Sequence, residues 1–139
     1  MRKNIHELIF AKLEKLGITS IEGDAAKSVI DPDGGMMDLC YDRLGERSKN
    51  AYDISLAHYF KQNGDLCCDP DMEIRIYPYH GAAEALTFQM AIPPIYQEVY
   101  PDPGKVCPKY KKELNIFLNQ WLKNCIDQGH TFNKQKVAA

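Results

Sequence analysis

Tyr52-Asp53-Ile54-Ser55-Leu56-Ala57-His58-Tyr59-Phe60 and Met72-Glu73-Ile74-Arg75-Ile76-Tyr77 decide the fold class of this chain. In the first run Tyr52, Ile54, Leu56, His58 and Phe60 alternate strictly with Asp53, Ser55, Ala57 and Tyr59, the period of a half-buried strand. The second run alternates too, and Gln62-Asn63-Gly64-Asp65 between them is a turn. Pro78-Tyr79-His80-Gly81 then leads into a partner run, Glu84-Ala85-Leu86-Thr87-Phe88-Gln89.

Working outward, Met36–Asp42 reads as a first strand and Asn50–Phe60 as a second, joined by a charged loop from Arg43 to Lys49. The third and fourth strands are Met72–Tyr77 and Glu84–Met90. Ile92-Pro93-Pro94-Ile95 is expected to end the sheet, because proline cannot donate to a ladder, and Pro101, Pro103 and Pro108 to keep the next segment irregular. Residues 18–30 have no clean period, and Asp31-Pro32-Asp33-Gly34-Gly35 is a turn cluster. Ile5, Leu8, Ile9, Leu13 and Leu16 share one helical face, with Asn4 as N-cap and Gly17 as the stop. Leu114, Phe117, Leu118, Trp121, Leu122 and Cys125 mark a second helix closed by Gly129, with Asn115, Asn119, Gln120, Lys123 and Asn124 on the opposite side.

The expected fold is α+β: a single domain over residues 1–130 with an N-terminal helix, a four-stranded antiparallel sheet and a C-terminal amphipathic helix packed on one sheet face. A polar, frayed tail is expected over 131–139. Short connections make the sheet antiparallel with the two helices on one face, and the exposure of the second face decides where function could sit.

The chain has 139 residues, enough for one domain with a real core, and 45% hydrophobic and 26% charged residues are ordinary for a globular protein. A formal net charge of −2 lacks the strong basic footprint of a duplex-binding domain. No apolar run approaches the roughly 20 residues that span a bilayer, so no membrane partner is expected. Without a signal peptide, the five cysteines are expected to be reduced thiols in a cytoplasm.

Four groups are candidate sites. Glu73, Arg75 and Glu84 form a charged row, read either as a binding surface or carboxylate pair or as a solvent-facing cross-strand pairing. Cys40, Cys67, Cys68, His58 and His80 lack the paired spacing of structural zinc, so no metal is expected. His58, in the apolar register between Leu56 and Phe60, suits a packed core-edge histidine better than a catalytic one. Tyr77, Tyr79, Tyr96, Tyr100 and Tyr110 crowd the last strands together with His80 and prolines, as a protein interface or the lid of a core would. No phosphate-binding glycine motif occurs, and no cofactor is expected.

The blocks Asp69–Ile76, Ala83–Gln89, Ile95–Tyr100 and Leu114–Leu118, continuing through Trp121-Leu122 to Gln128-Gly129-His130, resemble a family of small bacterial proteins of unknown function carried largely on plasmids and other mobile elements. The resemblance runs from about Met36 to His130. It implies no activity and no catalytic residues, but it does imply a setting in which accessory genes often encode inhibitors of host defence nucleases.

The leading expectation is therefore a non-catalytic protein-binding accessory protein, such as an inhibitor of a host nuclease of the CRISPR or restriction type. Its expected binding residues are Tyr77, Tyr79, His80, Tyr96 and Tyr100 with Glu73, Arg75 and Glu84. Truncating Tyr79, Tyr96 or Tyr100 would each cost on the order of 2 kcal/mol of binding. The alternatives are a module for RNA or single-stranded nucleic acid, whose affinity would fall steeply with salt, and a small enzyme using Glu73, Glu84 and His58. A homodimer through an exposed strand edge is also open.

Overall fold

The computed structural model describes residues 3–33, 35–48 and 50–133. Helix α1, Ile5–Leu16, begins at a capping box. The Asn4 side chain accepts the Glu7 N–H at 2.9 Å, and the Glu7 carboxylate accepts the Asn4 N–H at 3.0 Å. Gly17 ends it with φ at 85°, a left-handed conformation that glycine adopts without steric cost. Helix α2, Pro108–Gln128, starts on a proline whose missing N–H would have had no helical partner, and stops at Gly129. No helix of the described residues is long and apolar enough to cross a membrane.

In the chain between the two helices runs one antiparallel sheet of seven strands, which corrects the expected four. They are β1 (Ala25–Ser28), β2 (Leu39–Ser48), β3 (Ala51–Gln62), β4 (Asp65–Tyr77), β5 (Ala82–Ala85), β6 (Thr87–Met90) and β7 (Ile95–Glu98). The sheet order is β1-β2-β3-β4-β6-β7, with β5 pairing the end of β4 beyond β6.

Each extra strand has a local cause. Ala25–Ser28 forms an edge along β2, with Ala26 opposite Tyr41 and Ser28 opposite Leu39. The stretch from Arg43, expected to be a loop, stays in strand β2 because register shifts at Arg43/Gly45 and Glu46/Ser48 absorb the surplus residues, with Gly45 at a φ of 145°. Lys49 lies outside the described residues. The run Glu84–Met90 divides at Leu86. There the Leu86 N–H reaches Glu73 O at 2.8 Å, while the Thr87 hydroxyl takes the Glu73 N–H in place of a backbone carbonyl. The prolines at 93 and 94 fall in a turn, and pairing resumes after them as β7.

The β3–β4 hairpin turns on Asn63 and Gly64, both at positive φ, as a two-residue hairpin demands. Further along, pairing slips by one residue between Ala57 and Tyr59, beside Asp69-Pro70 on β4. That bulge puts Asp53 opposite Arg75 and Ile54 opposite Ile74, so polar meets polar on one face and apolar meets apolar on the other.

The apolar face carries Leu39, Tyr41, Ile54, Leu56, Met72, Ile74 and Ile76, with Ile9, Leu13, Leu118 and Leu122 of the helices packed on it. Burying each such side chain is worth about 1.5–3 kcal/mol before entropy is deducted. Asn115 was expected on the solvent side of α2, but it is buried. Its Oδ1 accepts the Ala85 N–H at 2.8 Å and its Nδ2 donates to Lys111 O. His6 of α1 meets Ala83 O at 3.2 Å. Side chains from both helices thus satisfy the outer edge of β5, where backbone groups would otherwise be orphaned.

Of the tail expected over 131–139, the structure describes residues 131–133. Phe132 packs on Tyr41 and its N–H bonds to Leu16 O at 2.7 Å. Residues 134–139 lie outside the described residues.

Candidate functional site

Among the described residues, the second face of the sheet carries no helix. Its register rows run Lys27–Cys40–Ala57–Asp71–Gln89–Tyr96, then Ala25–Asp42–Ser55–Glu73, then Asp53–Arg75–Glu84. Thr87 and Glu98 face each other beside them.

In the third row, Arg75 and Glu84 are direct cross-strand neighbours, yet they take other partners. Arg75 grips Asp53 through Nε at 2.9 Å and Nη2 at 3.3 Å, and Asp53 is buried. A bidentate guanidinium–carboxylate pair is the strongest geometry open to these groups. The bond to Asp53 raises the Arg75 pKa further, so it stays charged.

Glu84 is 8% exposed, which corrects its reading as a solvent-facing charge. One carboxylate oxygen accepts the Tyr77 hydroxyl and the other the Tyr100 hydroxyl, both at 2.5 Å. Lys111 Nζ lies 3.6 Å from Glu84 and 3.1 Å from the Tyr100 oxygen. Burial first, then the hydrogen bond to Glu84, pushes Tyr77 up to about 12. Tyr100 is raised by the same two causes, and Lys111 is raised chiefly by its bond to Tyr100. Near neutrality all three therefore hold their protons and point them at Glu84 or at each other. The cluster is a hydrogen-bonded brace centred on Glu84.

Two cavities flank the brace. A cleft of about 500 Å³ opens on the uncovered face, lined by Glu73, Arg75, Tyr96, Glu98, Tyr100 and the 101–104 turn. A smaller one of about 280 Å³ lies at the start of α1, lined by Asn4, His6, Tyr77, His80, Glu84 and Lys111. Of the residues expected to bind a partner, Glu73, Arg75, Tyr96 and Tyr100 thus share the first cavity, while Tyr77, His80 and Glu84 share the second. Tyr79 stands 79% exposed at the tip of a 3-10 turn. Tyr96 is 55% exposed, its hydroxyl pKa raised by partial burial and by Glu98 and Glu73. Asp71 is raised by burial, against a hydrogen bond from Ser55 that lowers it.

His58 lies on the other side of the sheet from Glu73 and Glu84, under α2, so these three do not converge. Its Nδ1 donates to Asp38 O at 3.0 Å, because a carbonyl can only accept, and its Nε2 faces the Cys125 thiol at 3.7 Å. That resembles a nucleophile–base pair, but Cys125 is fully buried and burial pushes it up to about 12, which leaves the thiol inert. The Trp121 ring meets His58 edge to face at 5.4 Å. His130, also buried, is held by Ser28 at 2.8 Å. Among the described residues no group of three or more His, Cys, Asp or Glu side chains is placed to hold a metal ion, and all five cysteines are unpaired.

Sequence reasoning missed Asp53, Lys111, Asn115, Glu98 and Asp102. Asp53 was visible in the polar register of its strand, but its partner depended on a bulge that spacing does not announce. Glu98 and Asp102 sit beyond the prolines taken as the end of the sheet.

No curated protein and no solved structure matches the chain. A family profile described as "Domain of unknown function (DUF6908)" matches residues 4–131, which take in both helices, the whole sheet and every residue of the brace and the cleft. The chain belongs to this family of domains of unknown function.

Proposed function

We propose that the protein is a non-catalytic binding protein that uses the uncovered sheet face to occupy a surface on a protein partner. The observation that carries this reading is the face itself: a broad polar sheet surface, braced from within by Asp53–Arg75 and by Glu84 with its two tyrosines, and rimmed by exposed Tyr79 and Tyr96. Rigid tyrosines on a fixed support give large contact area at low entropic cost. In the brace the ionisable groups are spent on one another, which suits a scaffold better than an acid–base catalyst.

The partner class in this proposal is a host defence nuclease, and the setting is a bacterial mobile element. The reading is supported by the accessory-gene setting that the sequence resemblance implies and by the face's charge. Asp42, Asp71, Glu98 and Asp102 make no ion pair among the described residues. A phosphate backbone laid on this face would meet like charge, which speaks against the nucleic-acid alternative. The basic channel in which a nuclease holds its substrate would meet opposite charge.

The test is plasmid establishment in bacterial strains with and without an active restriction or CRISPR system, with the protein expressed beforehand. Higher transformation only in the defended strain supports the inhibitor reading. Equal transformation in every defended strain tried, with soluble protein present, refutes it.

A further inference from the structure

We propose that the cleft between Tyr96 and Tyr100 on the uncovered face receives a basic segment of the partner protein, with a guanidinium side chain as its anchor. This rests on the protein-binding reading and says which chemistry the surface recognises, and where.

Three observations converge on it. The first is charge. Around the cleft, Glu98 and Asp102 make no ion pair among the described residues, and Asp71 lies one position further along the row that ends at Gln89 and Tyr96. Among the described residues the one cation in the lining, Arg75, is already held by both oxygens of Asp53 and offsets none of this. Its neighbour Glu84 likewise has its own cation in Lys111. Among the described residues, Glu98 and Asp102 leave the mouth with an excess of negative charge.

The second is shape. About 500 Å³ is far more than a water or a metal ion needs and suits a long side chain with its flanking backbone. Its floor is braced sheet and one wall is the turn Pro101-Asp102-Pro103-Gly104, whose prolines restrict the backbone. A preformed cleft of this kind binds without paying for its own ordering.

The third is ring chemistry. Tyr96 and Tyr100 line the cleft beside Glu98 and Asp102, and aromatic rings among carboxylates favour a guanidinium over a simple apolar side chain. The molecule already uses this pairing within itself, with Arg43 stacked 4.2 Å over the Tyr52 ring and Lys111 at 5.5 Å from the Tyr100 ring.

The experiment is an NMR titration of isotopically labelled full-length protein with hexa-arginine amide, repeated with a hexa-glutamate peptide and with a single-stranded oligonucleotide. The expected result is saturable amide shifts confined to residues 73–75, 86–87 and 96–104, with hexa-arginine alone, weakening as salt rises. The double variant Glu98→Lys, Asp102→Lys should lose about tenfold or more in affinity. Tyr96→Phe should retain binding that Tyr96→Ala loses, with unchanged thermal unfolding showing that each variant is folded. Shifts centred on the helices, undiminished affinity in the folded double variant, or binding of the oligonucleotide in place of the peptide would each overturn the proposal. So would concentration-dependent shifts of the same residues without any peptide, because a second copy would then be the occupant.

The two readings fail separately. If the folded double variant still protects plasmids, the nuclease is bound elsewhere and the cleft assignment falls while the inhibitor reading stands. If hexa-arginine binds as described but the protein never protects, the inhibitor reading falls and the cleft stands.

Discussion

Ile74 and Arg75 are neighbours in the chain and belong to different worlds. Ile74 is fully buried under the two helices, among Ile54, Leu56 and Leu118, where packing alone holds it. Arg75, one residue on, faces the uncovered side and is held by two directed bonds to one carboxylate. The helix-covered face is apolar, non-directional and tolerant of small rearrangement. On the uncovered face, charge-assisted bonds around Asp53 and Glu84 fix side chains that no described helix covers. A sheet face without a lid has to be ordered by polar contacts or not at all, and this one is ordered.

Substitutions on either side test that contrast. Ile74→Ala should cost the most, about 4 kcal/mol in denaturant unfolding, since it leaves a cavity in a closed core. A cost near that of a surface site would show that the helices do not seal that face. Arg75→Ala should cost about 3 kcal/mol by stripping the bidentate partner from buried Asp53, and a neutral result would mean the uncovered face is ordered by something other than this pair. Asn115→Ala should cost about 2 kcal/mol by leaving the Ala85 N–H without its acceptor, and hydrogen exchange at Ala85 should rise with it.

The smallest effect is one of pH. In the folded protein the His130 pKa is lowered, first by burial and then by His58. The unfolded chain therefore takes up the proton more readily. Stability is complete above the ordinary imidazole value of 6.5 and is lost as pH falls below it toward the depressed folded value. Melting curves taken from neutral pH down to about pH 5 should show this, and His130→Gln should flatten the response. An unchanged slope in that variant would place the effect in other groups.

Period-two alternation was enough to find the central strands, because Ile54, Leu56, Ile74 and Ile76 fill one face without interruption. The end strands were hidden for physical reasons. Ala25–Ser28 is a short edge with little to bury, and Ile95–Glu98 follows prolines that sit in a turn and so never needed to donate to the ladder. Register was less legible still. Counting back from the Asn63-Gly64 turn places Asp53 opposite Ile74, and only the slip near Pro70 moves it to Arg75. The Asp53–Arg75 pair thus depends on a feature that no local propensity encodes. Asn115 was misplaced because its polarity outweighed its position, although it lies three and seven residues before Leu118 and Leu122 on the same face of α2. Tyr77, Tyr96 and Tyr100 were legible as residues to watch, whereas the carboxylate that gathers two of them was taken for a surface charge.

The outer edge of β5 is finished by His6 near the start of the chain and Asn115 near its end. During synthesis the seven strands leave the ribosome before α2 does, and for that interval the Ala85 N–H lacks its Asn115 acceptor. A nascent chain halted before residue 108 would carry an open sheet edge, ready to pair with whatever strand it met. Helix α2 therefore does for β5, through Asn115, what a neighbouring strand would otherwise do.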